Sequence, residues 1–386
     1  MKRLVVGSYF DGERHHADGP YAILHESGAI LGVERVEGGV DARDGAAFAM
    51  PSLVDAHVHI FLDGAELDPA RRKQAMAAGE AESLAVARTN AEASWRAGLG
   101  LIRDAGDPRG INHAARRELA AAGHPIRLRS PGPALHRPGR YGSFLGAAIA
   151  EDSDAARVVS ELCLDADDIK VLLTGVIDFA SGTVKGKPQF DEAAATAIVA
   201  AARRHGRPTF AHCNGPEGLA VAIRAGFDSI EHGYLMDEES LRAMAGEGIA
   251  WTPTLAPVAA QRHLAPDVSG FGPDILACLD TILARHAESI LRAAQLGVAL
   301  YCGSDAGGQG VPHGGGLVDE MLLLAGAGVP METLLAGATA LPRARWGEPA
   351  SLIRAGEAFD PVVMPHSPFL QPQALRQARR PHSGDR

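Results

Sequence analysis

From Leu53 onward the chain keeps a rhythm that few folds accommodate: apolar runs of strand length alternate with alanine-rich helical segments. Such alternation joins parallel strands through crossover helices, because a tight turn cannot reach a parallel neighbour. Strands are expected near 52–57, 99–104, 126–130, 168–173, 208–212, 227–231, 249–253 and 298–303, with helices such as "DEAAATAIVAAARRHG" and "PEGLAVAIRAG" between them. The second helix ends on Gly226, a residue suited to a helix C-terminus. Eight strand–helix units over about 250 residues match a (β/α)8 TIM barrel. An open doubly wound sheet shares the rhythm, but no G-x-G-x-x-G follows the first strand.

The two ends of the chain read differently. Short apolar runs in "RLVVGSYFDGE", "YAILHESGAILGVERVEGG" and "DARDGAAFAM" are cut by Gly, Asp and Pro, which suits a small β element. After Leu341 the helical rhythm fades, and "AGEAFDPVVMPHSPF" reads as one more short strand able to return to that element. Pro361 has no N–H to give a ladder, so this strand is expected at a sheet edge. The expected division is a β-sandwich built from 1–51 and 343–370, a barrel over 52–342, and a polar, disordered tail over 371–386.

A formal charge of -10 and an isoelectric point near 5.9 argue against nucleic acid or an anionic membrane as partners. The opening "MKRLVVGSYFDGE" has too brief an apolar run for a signal peptide, and no stretch is long enough to span a bilayer, so a cytoplasmic location is expected. The four cysteines sit far apart without a C-x-x-C pair, as free thiols do in a reducing compartment. Cys213 and Cys302 are read as packing residues rather than ligands.

In a barrel, chemistry gathers where strands end at the C-terminal face. The first strand ends in "PSLVDAHVHIFLDG", where alternation points His57 and His59 the same way. "DDIKVLLTG" carries Lys170, "PTFAHCNG" His212, "DSIEHGY" His232 and "LYCGSDAGG" Asp305. Each has an ordinary reading alone: a snorkelling lysine, hydrogen-bonded core histidines, a turn-capping aspartate. Together they are four imidazoles, a carboxylate and an amine, a set suited to zinc or another borderline divalent ion. An ammonium beside two cations is repelled and costly to desolvate, so Lys170 must be neutral there. A neutral amine can add carbon dioxide and become a carbamate with two ligand oxygens.

The segments "SLVDAHVHI", "DDIKVLLTG", "TFAHCNGPEGLAVAIRAGFDSIEHG", "WTPTL" and "GSDAG", in order from about residue 50 to 340, resemble the metal-dependent amidohydrolase superfamily. Within it the chain is similar to imidazolonepropionases and to prolidase-like dipeptidases that cleave Xaa-Pro and Xaa-Arg. The resemblance implies two divalent ions, expected to be Zn2+: His57, His59 and Asp305 on one, His212 and His232 on the other, and carboxylated Lys170 bridging them. Imidazolonepropionases are mononuclear and use no such lysine, so Lys170 favours the dipeptidase-like branch. The implied reaction is hydrolysis of an amide in a small substrate, such as a dipeptide or N-acyl amino acid, by a metal-bridging hydroxide with Asp305 as general base and acid. The same centre would also suit a lactone, carbamate, phenylurea or phosphotriester. A non-catalytic scaffold would lack ligands, and none is missing here. The expected partner is a small-molecule substrate, and a homo-oligomer is compatible with the sequence.

Substrate residues are less constrained. Prolidase-like relatives carry G-G-H-G after the third strand, whereas "HRPGRYGSFLG" puts Arg140 and Tyr141 where Gly and His stand. Arg140 is either a solvated loop residue or a clamp on a substrate carboxylate. Tyr234, directly after "EHG", can donate its hydroxyl to the same group, and His136 is a further candidate. His15, His16, His113, His205 and His313 are read as surface or packing residues.

Overall fold

The computed structural model of the chain describes residues 1–37 and 47–381. Seven of the eight expected strands are present, and they fall into two sets whose neighbours all run parallel. Leu53–Val58, Leu99–Asp104 and Arg127–Arg129 make one set. The other runs in the order Gly146–Ala148, Ala134–His136, Ile169–Leu172, Thr209–Cys213, Ser229–His232 and Ala250–Thr252. Strands of both sets, such as Leu53–Val58, Leu99–Asp104, Thr209–Cys213 and Ser229–His232, are buried on both faces, the usual state of parallel strands.

Two expectations are corrected. The neighbour of Ile169–Leu172 is Ala134–His136, with Leu135 opposite Val171, rather than the strand expected at 126–130. Pro131 and Pro133 flank Gly132, whose φ is +72°, so the chain must leave one set before it enters the other. Residues 298–303 form no regular strand but a single bridge, Trp251 with Leu300. Their backbone nonetheless bonds on both sides: Trp251 N–H donates to Ala299 O at 2.8 Å, and Ala56 N–H donates to Cys302 O at 2.9 Å.

The helices between strands follow their sequence signals. Asp191 accepts from Ala194 N–H to cap Glu192–Arg204, whose last turn holds Arg203 and Arg204 where the helix dipole favours cations. That helix buries Ala195, Ile198, Val199 and Ala202, the stripe its alanine-rich period predicts. Pro216–Ala225 begins on proline and closes on Gly226 at φ +78°.

Around the chain ends lie two further sheets. Lys2–Val6, Tyr21–Glu26 and Ala29–Arg35 pair antiparallel, the hairpin between the last two turning on Ser27 and Gly28 with φ of +51° and +81°. The second is ordered Pro361–Met364, Phe48–Pro51, Ser8–Phe10, His15–His16. Leu4, Val6 and Ile23 from the first pack with Tyr9, Ala49 and Val363 from the second. Pro361–Met364 ends the strand order, with Pro361 opposite Pro51, so neither is asked for an N–H it lacks. Of "DARDGAAFAM", the part up to residue 46 lies outside the described residues.

The tail is a correction. Pro372–Gln377 forms a 3-10 helix that buries Ala374 and Leu375, Arg376 pairs with Asp319 at 2.8 Å, and Arg379 exchanges backbone bonds with Val363. Two apolar side chains and one ion pair anchor a stretch whose composition reads as polar. Residues 382–386 lie outside the described residues. Among the described residues, no helix is long and apolar enough to cross a membrane.

Candidate metal centre

Six of the expected side chains, His57, His59, Lys170, His212, His232 and Asp305, line one cavity of about 310 Å³ at the strand ends. His57 is the penultimate residue of the strand Leu53–Val58, and His59 lies just beyond it, held by its N–H to Ala306 O at 2.7 Å. Asp305 reaches back with its N–H to His57 O at 2.8 Å. Its Oδ1 lies 3.2 Å from His59 Nε2 and 3.7 Å from His57 Nε2, and the three residues offer ligand atoms within 4.8 Å of one another. The His212 and His232 rings stand 4.5 Å apart, and His232 is 4.9 Å from His57. Asp305 and His232 sit at φ of +57° and +66°, left-handed backbone that non-glycine residues adopt at a cost.

The donor set fits divalent ions. Lys170 Nζ and His59 Nδ1 are buried without a hydrogen-bond partner, and Nζ rests 4.7 Å above the Phe210 ring. Burial lowers Lys170 to about 8, with Arg103 acting the same way against the pull of Glu231 and Asp305. Burial likewise pushes His57 down to about 4 and His212 to about 3, Lys170 adding to both, so the imidazoles present lone pairs. Burial raises Asp305, but His59, His57 and Lys170 outweigh it and keep the carboxylate charged.

Several supporting residues escaped the sequence reading. Glu231 is fully buried and accepts from His57 Nδ1 at 2.6 Å, Arg103 Nη2 at 2.9 Å and Ser229 Oγ at 2.7 Å. It fixes the His57 tautomer so that Nε2 faces the cavity. Thr254 Oγ1 lies 2.7 Å from His232 Nδ1 and orients that ring. Asp55 accepts from Ser304 N–H at 2.9 Å and from its hydroxyl, which ties the loop carrying Asp305 to the strand carrying His57. Glu231 was readable in the "EHG" motif; Arg103 lay inside an apolar run with nothing to mark it.

The expected substrate residues divide. Tyr141 lines the cavity, its ring 5.1 Å from His212. Tyr234 also lines it, but its hydroxyl donates to Thr254 O at 3.1 Å. Neither Arg140 nor His136 lines it: the Arg140 guanidinium donates to Lys187 O, and His136 Nδ1 is 2.8 Å from Arg137 O. All four cysteines are free, and Cys213 and Cys302 are buried. A larger cavity, about 600 Å³, lies beside Leu255–Gln261 and Gly315–Gly326 and holds no comparable cluster; its Asp319 is paired with Arg376.

Parallel strands that gather imidazoles, a carboxylate and a buried lysine at their C-terminal ends define a metal-dependent hydrolase site. The chain belongs to the amidohydrolase family, whose sequence pattern matches residues 48–375, and is a hydrolase acting on carbon–nitrogen bonds. It is 28% identical over 323 residues to an uncharacterized protein of Mycobacterium tuberculosis, covering 82% of this chain and 78% of that one. It is 27% identical over 252 residues to ochratoxinase of Aspergillus niger, covering 62% of this chain and half of the enzyme's length. In fold it is similar to a Xaa-Pro dipeptidase solved with methionine in its active site, at a TM-score of 0.79 and 22% identity, over 97% of this chain and 96% of that one.

Proposed function

We propose that this chain hydrolyses an amide bond in a small substrate at a site holding two divalent ions, with His57, His59 and Asp305 on one, His212 and His232 on the other, and Lys170 as a carbamate between them. The reading is carried by the unpartnered Lys170 Nζ, buried on the cavity that four imidazoles and Asp305 also line. On this reading the two sheet sets and residues 298–303 close into a (β/α)8 barrel, supported by the bonds of that segment to Trp251 and Ala56. Residues 1–51 and 343–370 then form the β-sandwich, supported by the apolar cluster their sheets share.

Bound Zn2+ would make water acidic near neutral pH and polarise a carbonyl. The chain's residues do the rest. Asp305, charged and facing the cavity, accepts the proton of the attacking water and returns it to the departing nitrogen. Glu231 holds the imidazole of His57 in one tautomer and orientation, and Thr254 holds the orientation of His232. Water adds across the bond, giving a carboxylic acid and an amine.

Asp305→Asn keeps the size and one ligand oxygen but cannot carry a proton. Its rate on amides should fall about 10²- to 10⁴-fold, with a smaller loss on p-nitrophenyl esters, whose leaving group departs unaided. An equal loss on both, tracking metal content, would leave Asp305 a ligand alone.

A further inference from the structure

The cavity has two unlike halves. Its inner half is the donor set; its outer half is apolar, made by Val176, Ile177 and Phe179 from the hairpin after the Lys170 strand and by Pro257 and Val258 from Leu255–Gln261. Ile177 and Val258 pack against Leu279 and Ile282 of the long helix Pro273–Leu296, so the wall has a rigid backing. Phe179 meets Phe271 edge-on at 5.8 Å.

Two large apolar side chains at the mouth remain in water. Val176, which lines the cavity, is 36% exposed, and Phe144, 39% exposed, stands edge-on against Tyr141. Scattered exposed apolar residues need no explanation, but a group bordering a concave site marks where an apolar ligand docks.

Two arginines of the loop after Ala134–His136 are engaged elsewhere. Arg137 is held by Asp152 and the carbonyls of Gln189 and Ile149, and Arg140 by the carbonyl of Lys187. Lys187 lines a separate cleft with Thr183, Gly215 and Glu217. Among the described residues, Lys170 is the one lysine or arginine on the cavity, and it sits within the donor set. Gln261 and Tyr141 offer neutral hydrogen bonds only.

We infer that the part of the substrate away from the scissile bond is neutral and apolar, aliphatic or aromatic, and carries no free carboxylate. This rests on the amide-hydrolase reading and narrows it away from free dipeptides. A carboxylate against this wall would lose its water and gain no partner.

Matched pairs test the inference on the zinc-loaded protein. Pentanoyl and succinyl 4-nitroanilides differ in charge on the acyl side, N-propylbenzamide and N-benzoylglycine on the amine side. In each pair the neutral compound should have the higher kcat/KM, by about tenfold or more. Val176→Arg should narrow or reverse that preference. A second readout is binding of two uncleavable ketones by calorimetry, with pentanophenone tighter than 3-benzoylpropanoate. Preference for the anionic member in cleavage and binding would overturn the inference and leave the amide reading standing. Tighter pentanophenone binding with no amide cleaved would sink the amide reading and support the apolar wall.

Discussion

Replacing Glu231 with glutamine tests how the centre is held. The change removes one charge and almost no volume, yet leaves Arg103 buried at 1% exposure with no carboxylate to pair with. Breaking a buried ion pair by removing one partner costs about 3–5 kcal/mol. At about 2.1 cal/mol/K per residue, a chain of 386 residues has an unfolding entropy near 0.8 kcal/mol/K, so Tm should fall by about 4–6 °C. The guanidinium cannot easily escape, since Phe210 and Trp346 cover it at 4.1 and 4.5 Å. Glutamine keeps one acceptor oxygen, which Arg103 and Ser229 claim, so its NH2 faces the Nδ1 proton of His57 where an acceptor stood; zinc binding should weaken by about 10- to 100-fold. Scanning calorimetry reads the first effect, and competition against a zinc-binding dye reads the second. Arg103→Met in the same chain removes the stranded cation and should recover most of the lost Tm while leaving zinc binding weak. If Glu231→Gln leaves Tm within 1 °C and zinc affinity within twofold, neither the ion pair nor the orienting role has the weight assigned here.

Further outcomes follow from the same geometry. Protein reconstituted with zinc should hold about two ions per chain by plasma emission, and His59→Ala about one; no bound metal would end the two-ion reading. Lys170→Ala should lose nearly all activity and recover part of it in millimolar propionate, whose oxygens stand in for a carbamate; wild-type turnover by the variant would exclude the carbamate. Leu375→Ala, at a side chain 1% exposed, should cost about 2–5 kcal/mol and lower Tm by a few degrees, whereas an unchanged Tm would restore the reading of a loose tail.

The histidines and Asp305 were legible because each sits near the end of an apolar run, and Lys170 because it is the one charge inside such a run; alternation alone fixes which way His57 and His59 point. Their supports were not. Arg103 and Glu231 meet across the two sheet sets from strands far apart in the chain, and no local pattern encodes that pairing. The hydroxyl of Tyr234 illustrates the same limit: sequence places the residue beside His232, but the carbonyl that claims its proton belongs to Thr254, in the next crossover. At the tail the apolar signal is two residues long, Ala374 and Leu375, too short for periodicity to register. The eighth strand was visible as a run of apolar residues; in the structure its backbone bonds to Trp251 and Ala56 on either side but forms one bridge rather than a ladder.

The pairing of Pro361 with Pro51 spans 310 residues, 361 less 51. A ribosome adding roughly 5–20 residues per second needs roughly 15 to 60 s to cover that distance. Throughout that interval Phe48–Pro51 waits with one flank of its ladder open, while the parallel strands behind it have already emerged. The N-terminal sheet must therefore be completed last although it is made first. In the cell, the nascent chain carries an unfinished β edge for most of its synthesis, which makes that edge the natural point for a chaperone to hold or for a second nascent chain to capture by mistake.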